Sequence, residues 1–104
     1  MDIVGFKMKL HPGLQDEYKK RHDEIWSDLS DLLAVYGIRD YSIFHDPETD
    51  ILFAVHRKTD GNRLADLHKE PLMQRWWQHM GDVMDTNPDG SPVQKPLFLV
   101  FRME

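Results

Sequence analysis

Ile38-Arg-Asp-Tyr41-Ser-Ile43-Phe-His45-Asp46-Pro-Glu-Thr-Asp50-Ile51-Leu-Phe53-Ala-Val55-His-Arg57, residues 38–57, is the stretch that decides the fold. Two runs rich in β-branched and aromatic residues flank a segment of turn formers, Asp46 to Asp50. That pattern predicts a β-hairpin with strands at 38–45 and 51–57. On the first strand Tyr41, Ile43 and His45 share one face, while Ser42 and Phe44 share the other. The second strand is apolar on both faces, with Ile51, Phe53 and Val55 on one and Leu52 and Ala54 on the other.

The chain around the hairpin alternates helix and strand. Before it, a strand at 3–10 sets Val4, Phe6, Met8 and Leu10 against Gly5, Lys7 and Lys9. His11, Pro12 and Gly13 make a turn, and a helix is predicted over 12–36 with Gly37 as its stop. After the hairpin, Asp60 and Gly61 open a short helix to 69, and Pro71 begins a further helix to 84. A loop at 87–92, stiffened by two prolines, leads to a last strand at 97–102. The order βαββαβ predicts one α+β domain over 1–104, a ferredoxin-like sandwich with a four-stranded antiparallel sheet and both helical regions on one face. The last strand repeats the two-faced apolar pattern, Leu97, Leu99 and Phe101 against Phe98 and Val100. A sheet with one wet face alternates more cleanly. The expectation is therefore a symmetric homodimer that covers the second face.

Composition narrows the function classes. A chain of 104 residues with 40% hydrophobic and 30% charged residues suits one folded domain rather than a disordered segment. A net charge of −5, with basic residues interleaved among acids, argues against nucleic acid as the main partner. No apolar run is long enough to span a bilayer, so a membrane is not expected as a partner either. There is no cysteine, hence no disulfide or thiolate chemistry, and no signal-peptide pattern; a cytoplasmic protein is the expectation.

The candidate chemistry lies on the first helix. Leu14, Tyr18, His22, Ile25, Leu29, Leu32, Leu33 and Tyr36 recur at steps of three or four, one face of an amphipathic helix. Position 22 of that stripe holds an imidazole where an aliphatic residue would do, one turn from a phenol. A histidine on an apolar stripe is also a common core or interface residue. Tyr18 beside it turns the reading toward a site, and so does Tyr41, whose strand face, shared with Ile43 and His45, could project into the same space. Arg75-Trp76-Trp77 is the second signal. Adjacent helical residues point about 100° apart, so one indole would face the core while the other borders a cleft. Packing alone also explains a tryptophan pair. The remaining histidines form no HxxxH or HExxH pair, and no phosphate loop or nucleophile elbow is present.

Taken in order, Tyr18-Lys-Lys-Arg-His22-Asp-Glu-Ile-Trp26, Tyr41, Gln74-Arg75-Trp76-Trp77 and Asn87-Pro88-Asp89-Gly90-Ser91-Pro92 resemble the L-rhamnose mutarotase family, over essentially the whole chain. Family members often carry proline where this chain has Ser27. The resemblance implies a dimeric α+β barrel without a metal or organic cofactor that interconverts the α and β anomers of L-rhamnose. It implies an acid/base role for His22 and sugar contacts from Tyr18, Tyr41, Trp76 and Trp77. His22 would give a proton to the ring oxygen; the complementary base is open among a water, a tyrosine and another polar group. Two rival functions are a cofactor-free small monooxygenase on the same dimeric fold and a non-catalytic sugar-binding module.

Overall fold

Alternation along the strands builds the sheet. In the computed structural model, which describes residues 1–104, the chain runs β1 (Asp2–Lys9), α1 (Gln15–Asp23), α2 (Ser27–Tyr36), β2 (Ile38–Asp46), β3 (Ile51–Lys58), a 3₁₀ helix (Leu64–Lys69), α3 (Pro71–Met80) and β4 (Lys95–Leu97). All strand pairs are antiparallel, in the order β2-β3-β1-β4. This is the expected ferredoxin-like arrangement. β1 lies against the whole of β3, so Phe6 sits opposite Ala54 and Met8 opposite Leu52. That row and Leu10 meet Tyr18, Leu29, Met73, Trp76 and Met80 from the helices, with Val83 and Met84 from the turn beyond α3. Leu10, Leu29, Leu52 and Val83 are fully buried.

The single helix expected over 12–36 is two helices. α1 ends at Asp23, and Trp26 takes an extended backbone, φ −60° and ψ 130°, before α2 begins. The apolar stripe continues across the break, which is why the sequence conceals it. The break seats Trp26 edge-on against Trp76, with ring centroids 5.1 Å apart, and beside His79 at 5.4 Å. Gly37 then closes α2 at φ 108°, and a Cβ there would lie 2.5 Å from the Asn62 side chain, so only glycine fits.

Three other bounds differ from the expected ones. The segment after Gly61 becomes helical only from Leu64, as a 3₁₀ turn. α3 ends at Met80 rather than 84; Val83 and Met84 instead fold back on the end of β1, where the Val83 carbonyl accepts from the His11 N–H at 2.9 Å and Met84 bridges Leu10. β4 covers only Lys95–Leu97 instead of 97–102. Its continuation is apolar on both faces and finds no cover within one chain: Phe98 is 83% and Val100 94% exposed. The outer sheet face is equally bare, with Phe44 64% exposed beside the half-buried Phe53 and Val55.

Ser27 is the first residue of α2, preceded by an extended residue. Proline fits both conditions. Ser27→Pro is therefore expected to be neutral or to stabilise the fold by about 0.4–1 kcal/mol, whereas inside a continuous helix it would cost about 3 kcal/mol or more. Urea denaturation of the variant measures the difference.

Candidate active site

Tyr18 and His22 are one helical turn apart on α1, and their rings stack at 4.4 Å with a 28° tilt. His22 Nδ1 lies 3.0 Å from the Tyr18 carbonyl oxygen. A carbonyl only accepts, so Nδ1–H donates and the neutral ring keeps its lone pair on Nε2. Trp76 meets the same imidazole edge-on, with centroids 5.4 Å apart. Burial lowers the His22 pKa, outweighing the Tyr18 hydrogen bond that favours the protonated ring. At neutral pH the group is an uncharged imidazole with one free basic nitrogen.

Opposite it, Tyr41 borders a shared cavity from β2 and keeps 39% of its surface exposed. Its ring packs on His56 at 5.4 Å and takes the edge of Phe6 at 6.4 Å. Burial raises the Tyr18 pKa, with a smaller contribution from Tyr41, and pushes Tyr41 itself up to about 12. Both phenols stay protonated, so they serve as hydrogen-bond donors and not as bases.

These groups line one cavity of about 680 Å³ between the helices and the sheet. Its wall is mostly apolar, including Phe6, Met8, Ile25, Leu33, Ile43 and Met73. Trp76 and Trp77 both border it, contrary to the expectation that one indole would turn wholly to the core. Trp76 does so from a buried position, 6% exposed, and Trp77 from a half-buried one. All five expected residues thus come together. Arg75 points away and is exposed. The loop at 87–92, tied by Asn87 Nδ2 to Ser91 Oγ at 3.1 Å and to the Pro92 carbonyl at 3.2 Å, brings Pro92 and Gln94 to the cavity wall.

An ion-pair clamp fixes the two helical walls relative to each other. Arg21 on α1 donates to both carboxylate oxygens of Asp82, at 2.6 and 3.1 Å, to the His79 carbonyl at 2.6 Å and to Glu17 at 2.9 Å. The Arg21 pKa is raised by its hydrogen bonds to Asp82 and Glu17. His11 and His45 pair with Asp85 and Asp50, each at 3.0 Å, and are structural.

The sequence reading passed over His56. It is 5% exposed, borders the cavity and donates Nδ1–H to the Arg57 carbonyl at 3.0 Å. The signal was present: His56 continues the inward row of Leu52 and Ala54.

Known proteins resemble this chain over its full length. The profile of the L-rhamnose mutarotase family matches residues 4–103. An L-rhamnose mutarotase of Burkholderia orbicola is 50% identical over 104 residues, covering 100% of both chains. One of Mesorhizobium japonicum is 55% identical over 99 residues, 95% of this chain and 94% of that one. The crystal structure of L-rhamnose mutarotase FA22100 from Formosa agariphila superposes with a TM-score of 0.91 at 43% identity, covering 100% of each chain. Rv0793 from Mycobacterium tuberculosis, at 15% identity and a TM-score of 0.59 over 98% of this chain and 97% of that one, shares the fold alone.

The two indoles separate by burial. Trp76→Ala is expected to destabilise the fold by about 3–5 kcal/mol, and Trp77→Ala, half-buried at the cavity edge, by distinctly less. Equilibrium unfolding of both variants checks the order.

Proposed function

The chain belongs to the L-rhamnose mutarotase family, and we propose that His22 is the group that moves the proton in its reaction. The chain is an isomerase that interconverts the α and β anomers of L-rhamnose. Mutarotation opens the pyranose, rotates the freed aldehyde and closes the ring on its other face. Opening removes a proton from the anomeric hydroxyl and delivers one to the ring oxygen; closing reverses both. The observation that supports the assignment is the Nδ1–H bond to the Tyr18 carbonyl, which leaves a bare Nε2 beside a largely apolar cavity.

That tautomer orders the steps. A neutral imidazole has no proton on Nε2 to give, so donation to the ring oxygen follows uptake. The anomeric hydroxyl is the natural source, because both oxygens are bonded to the same carbon and one nitrogen can serve them in turn. His22 Nε2 takes the hydroxyl proton and returns it to the ring oxygen as the C–O bond breaks. Tyr18 and Tyr41, held neutral, donate hydrogen bonds to sugar hydroxyls and cannot be the base at neutral pH. The indoles of Trp76 and Trp77 offer a flat wall to the C–H face and the 6-methyl group. The monooxygenase reading is opposed by the full-length likeness to L-rhamnose mutarotases. A non-catalytic module is opposed by the full-length likeness to enzymes of one name.

We further propose a homodimer in the cytoplasm. The bare outer sheet face and the tail after β4, with Phe98, Val100, Phe101 and Met103 at least 75% exposed, form an apolar surface that suits a second copy. No helix is long and apolar enough to cross a membrane, and without cysteine no disulfide ties the fold to an oxidising compartment. Sedimentation equilibrium should give a dimer at micromolar concentration, and Val55→Glu or Phe101→Asp should shift it to monomer or aggregate. A soluble wild-type monomer with full activity would count against the dimer.

His22→Ala is expected to lower anomer exchange by about 10²-fold or more, read by NMR saturation transfer between the anomeric protons, while the protein stays folded. The pH dependence follows from the lowered His22 pKa. The neutral form is the working one, so catalysed exchange holds as pH falls to the usual imidazole value of about 6.5. It declines only below that, as the ring protonates. An acid limb centred above that value, or near-wild-type exchange in folded His22→Ala, would remove His22 from this role.

A further inference from the structure

We infer that Asp40 is a positioning residue for Tyr41, acting through a left-handed backbone conformation rather than through its charge. The inference rests on the assignment of Tyr41 as a sugar contact. In the β2–β3 pairing Arg39 lies opposite Arg57 and Ser42 opposite Val55. Two residues of β2, Asp40 and Tyr41, therefore face one residue of β3, His56. That is a β-bulge, a device that re-aims side chains beside functional sites. Ile38, Arg39, Asp40 and Tyr41 all border the cavity, where a regular strand would turn alternate residues away from it. Asp40 absorbs the extra residue at φ 49°.

Few side chains tolerate that conformation. Asp and Asn enter the left-handed region most readily after glycine, and branched residues are outliers there. The flanks hold the bulge in place. Arg39 Nη1 donates to the Ala34 and Ile38 carbonyls at 2.7 and 2.9 Å, and Arg57 Nε stands 3.5 Å from Asp40 Oδ2. The Arg57–Asp40 pair is solvent-exposed, with side chains 45% and 75% accessible, so its own energetic weight is small. The backbone, not the ion pair, is the feature that only a few residue types can supply.

The test is a set of steady-state measurements on Asp40→Asn, Asp40→Gly, Asp40→Val, Tyr41→Phe and the double variant Asp40→Val/Tyr41→Phe, with unfolding curves to establish that each is folded. Asn and Gly keep the left-handed backbone and remove the charge, so kcat/KM should stay within about twofold of wild type. Asp40→Val should raise KM about tenfold, the scale of a left-handed penalty on a branched residue, with kcat changed much less. In the double variant the Val substitution should add nothing to the loss caused by Tyr41→Phe. If Asp40→Val does not fold, Asp40→Ala should show the same KM effect at a smaller size. Losses in Asn and Gly equal to that in Val would mean that the carboxylate itself acts, and would overturn the inference. So would additive losses in the double variant, or an unchanged KM in Asp40→Val or Asp40→Ala while Tyr41→Phe is impaired. An unchanged KM in Tyr41→Phe would instead remove the assignment of Tyr41, and this inference with it.

Discussion

The perpendicular packing of Trp26 and Trp76 is the contact on which the site depends. It requires the chain to leave the helical path between α1 and α2, and so sets the angle at which Tyr18 and His22 approach the sheet. Trp76 also meets the His22 ring at a right angle, with centroids 5.4 Å apart. One indole thus joins the core to the reacting imidazole. The Arg21–Asp82 clamp ties α1 to the turn just beyond α3, with the guanidinium shielded at 16% exposure and the carboxylate open to solvent at 71%. Aromatic packing inside and an ion pair outside leave α1 little freedom to slide along α3.

Neutrality is the electrostatic theme of the cavity. The same desolvation that depresses the imidazole raises the two phenols, so all three groups are uncharged at working pH. A sugar brings no charge of its own. Arg39 and Asp40 carry charge at the cavity border, but the three groups assigned to the sugar are uncharged, so one proton carries the polarity of the reaction. The apolar lining that produces the shifts also favours a deoxysugar, whose methyl group needs no hydrogen-bond partner.

Much of this was legible from residue spacing. Alternation located three strands and the hairpin, and the three-to-four stripe placed Tyr18 and His22 on one face. The period of two grouped Tyr41 with Ile43 and His45 but did not establish that this face looks into the site. The helix break was hidden because Ile25 and Leu29 keep the stripe intact across it; only the extended backbone of Trp26 reveals the interruption. β4 was misplaced because strand propensity was read into an apolar run that has no covering layer in one chain. The bulge at Asp40 left no sign, since a two-against-one pairing depends on the partner strand. His56 was set aside because it was weighed for histidine-pair motifs alone and not for its place in the Leu52–Ala54 row of β3.

The Tyr18 carbonyl is the i−4 position of the α-helix for residue 22, and it also receives the His22 imidazole. Proton acceptor and orienting group therefore lie within a single turn of one segment. Many acid/base histidines are oriented by a residue from a distant part of the chain, so that tautomer and fold must be maintained by two independent stretches of sequence. Here the orienting atom belongs to the main chain and survives any substitution at position 18. Changes to the Tyr18 side chain can thus reshape which sugar fits without altering the nitrogen that does the chemistry. Recognition and proton transfer are separable here by a single codon.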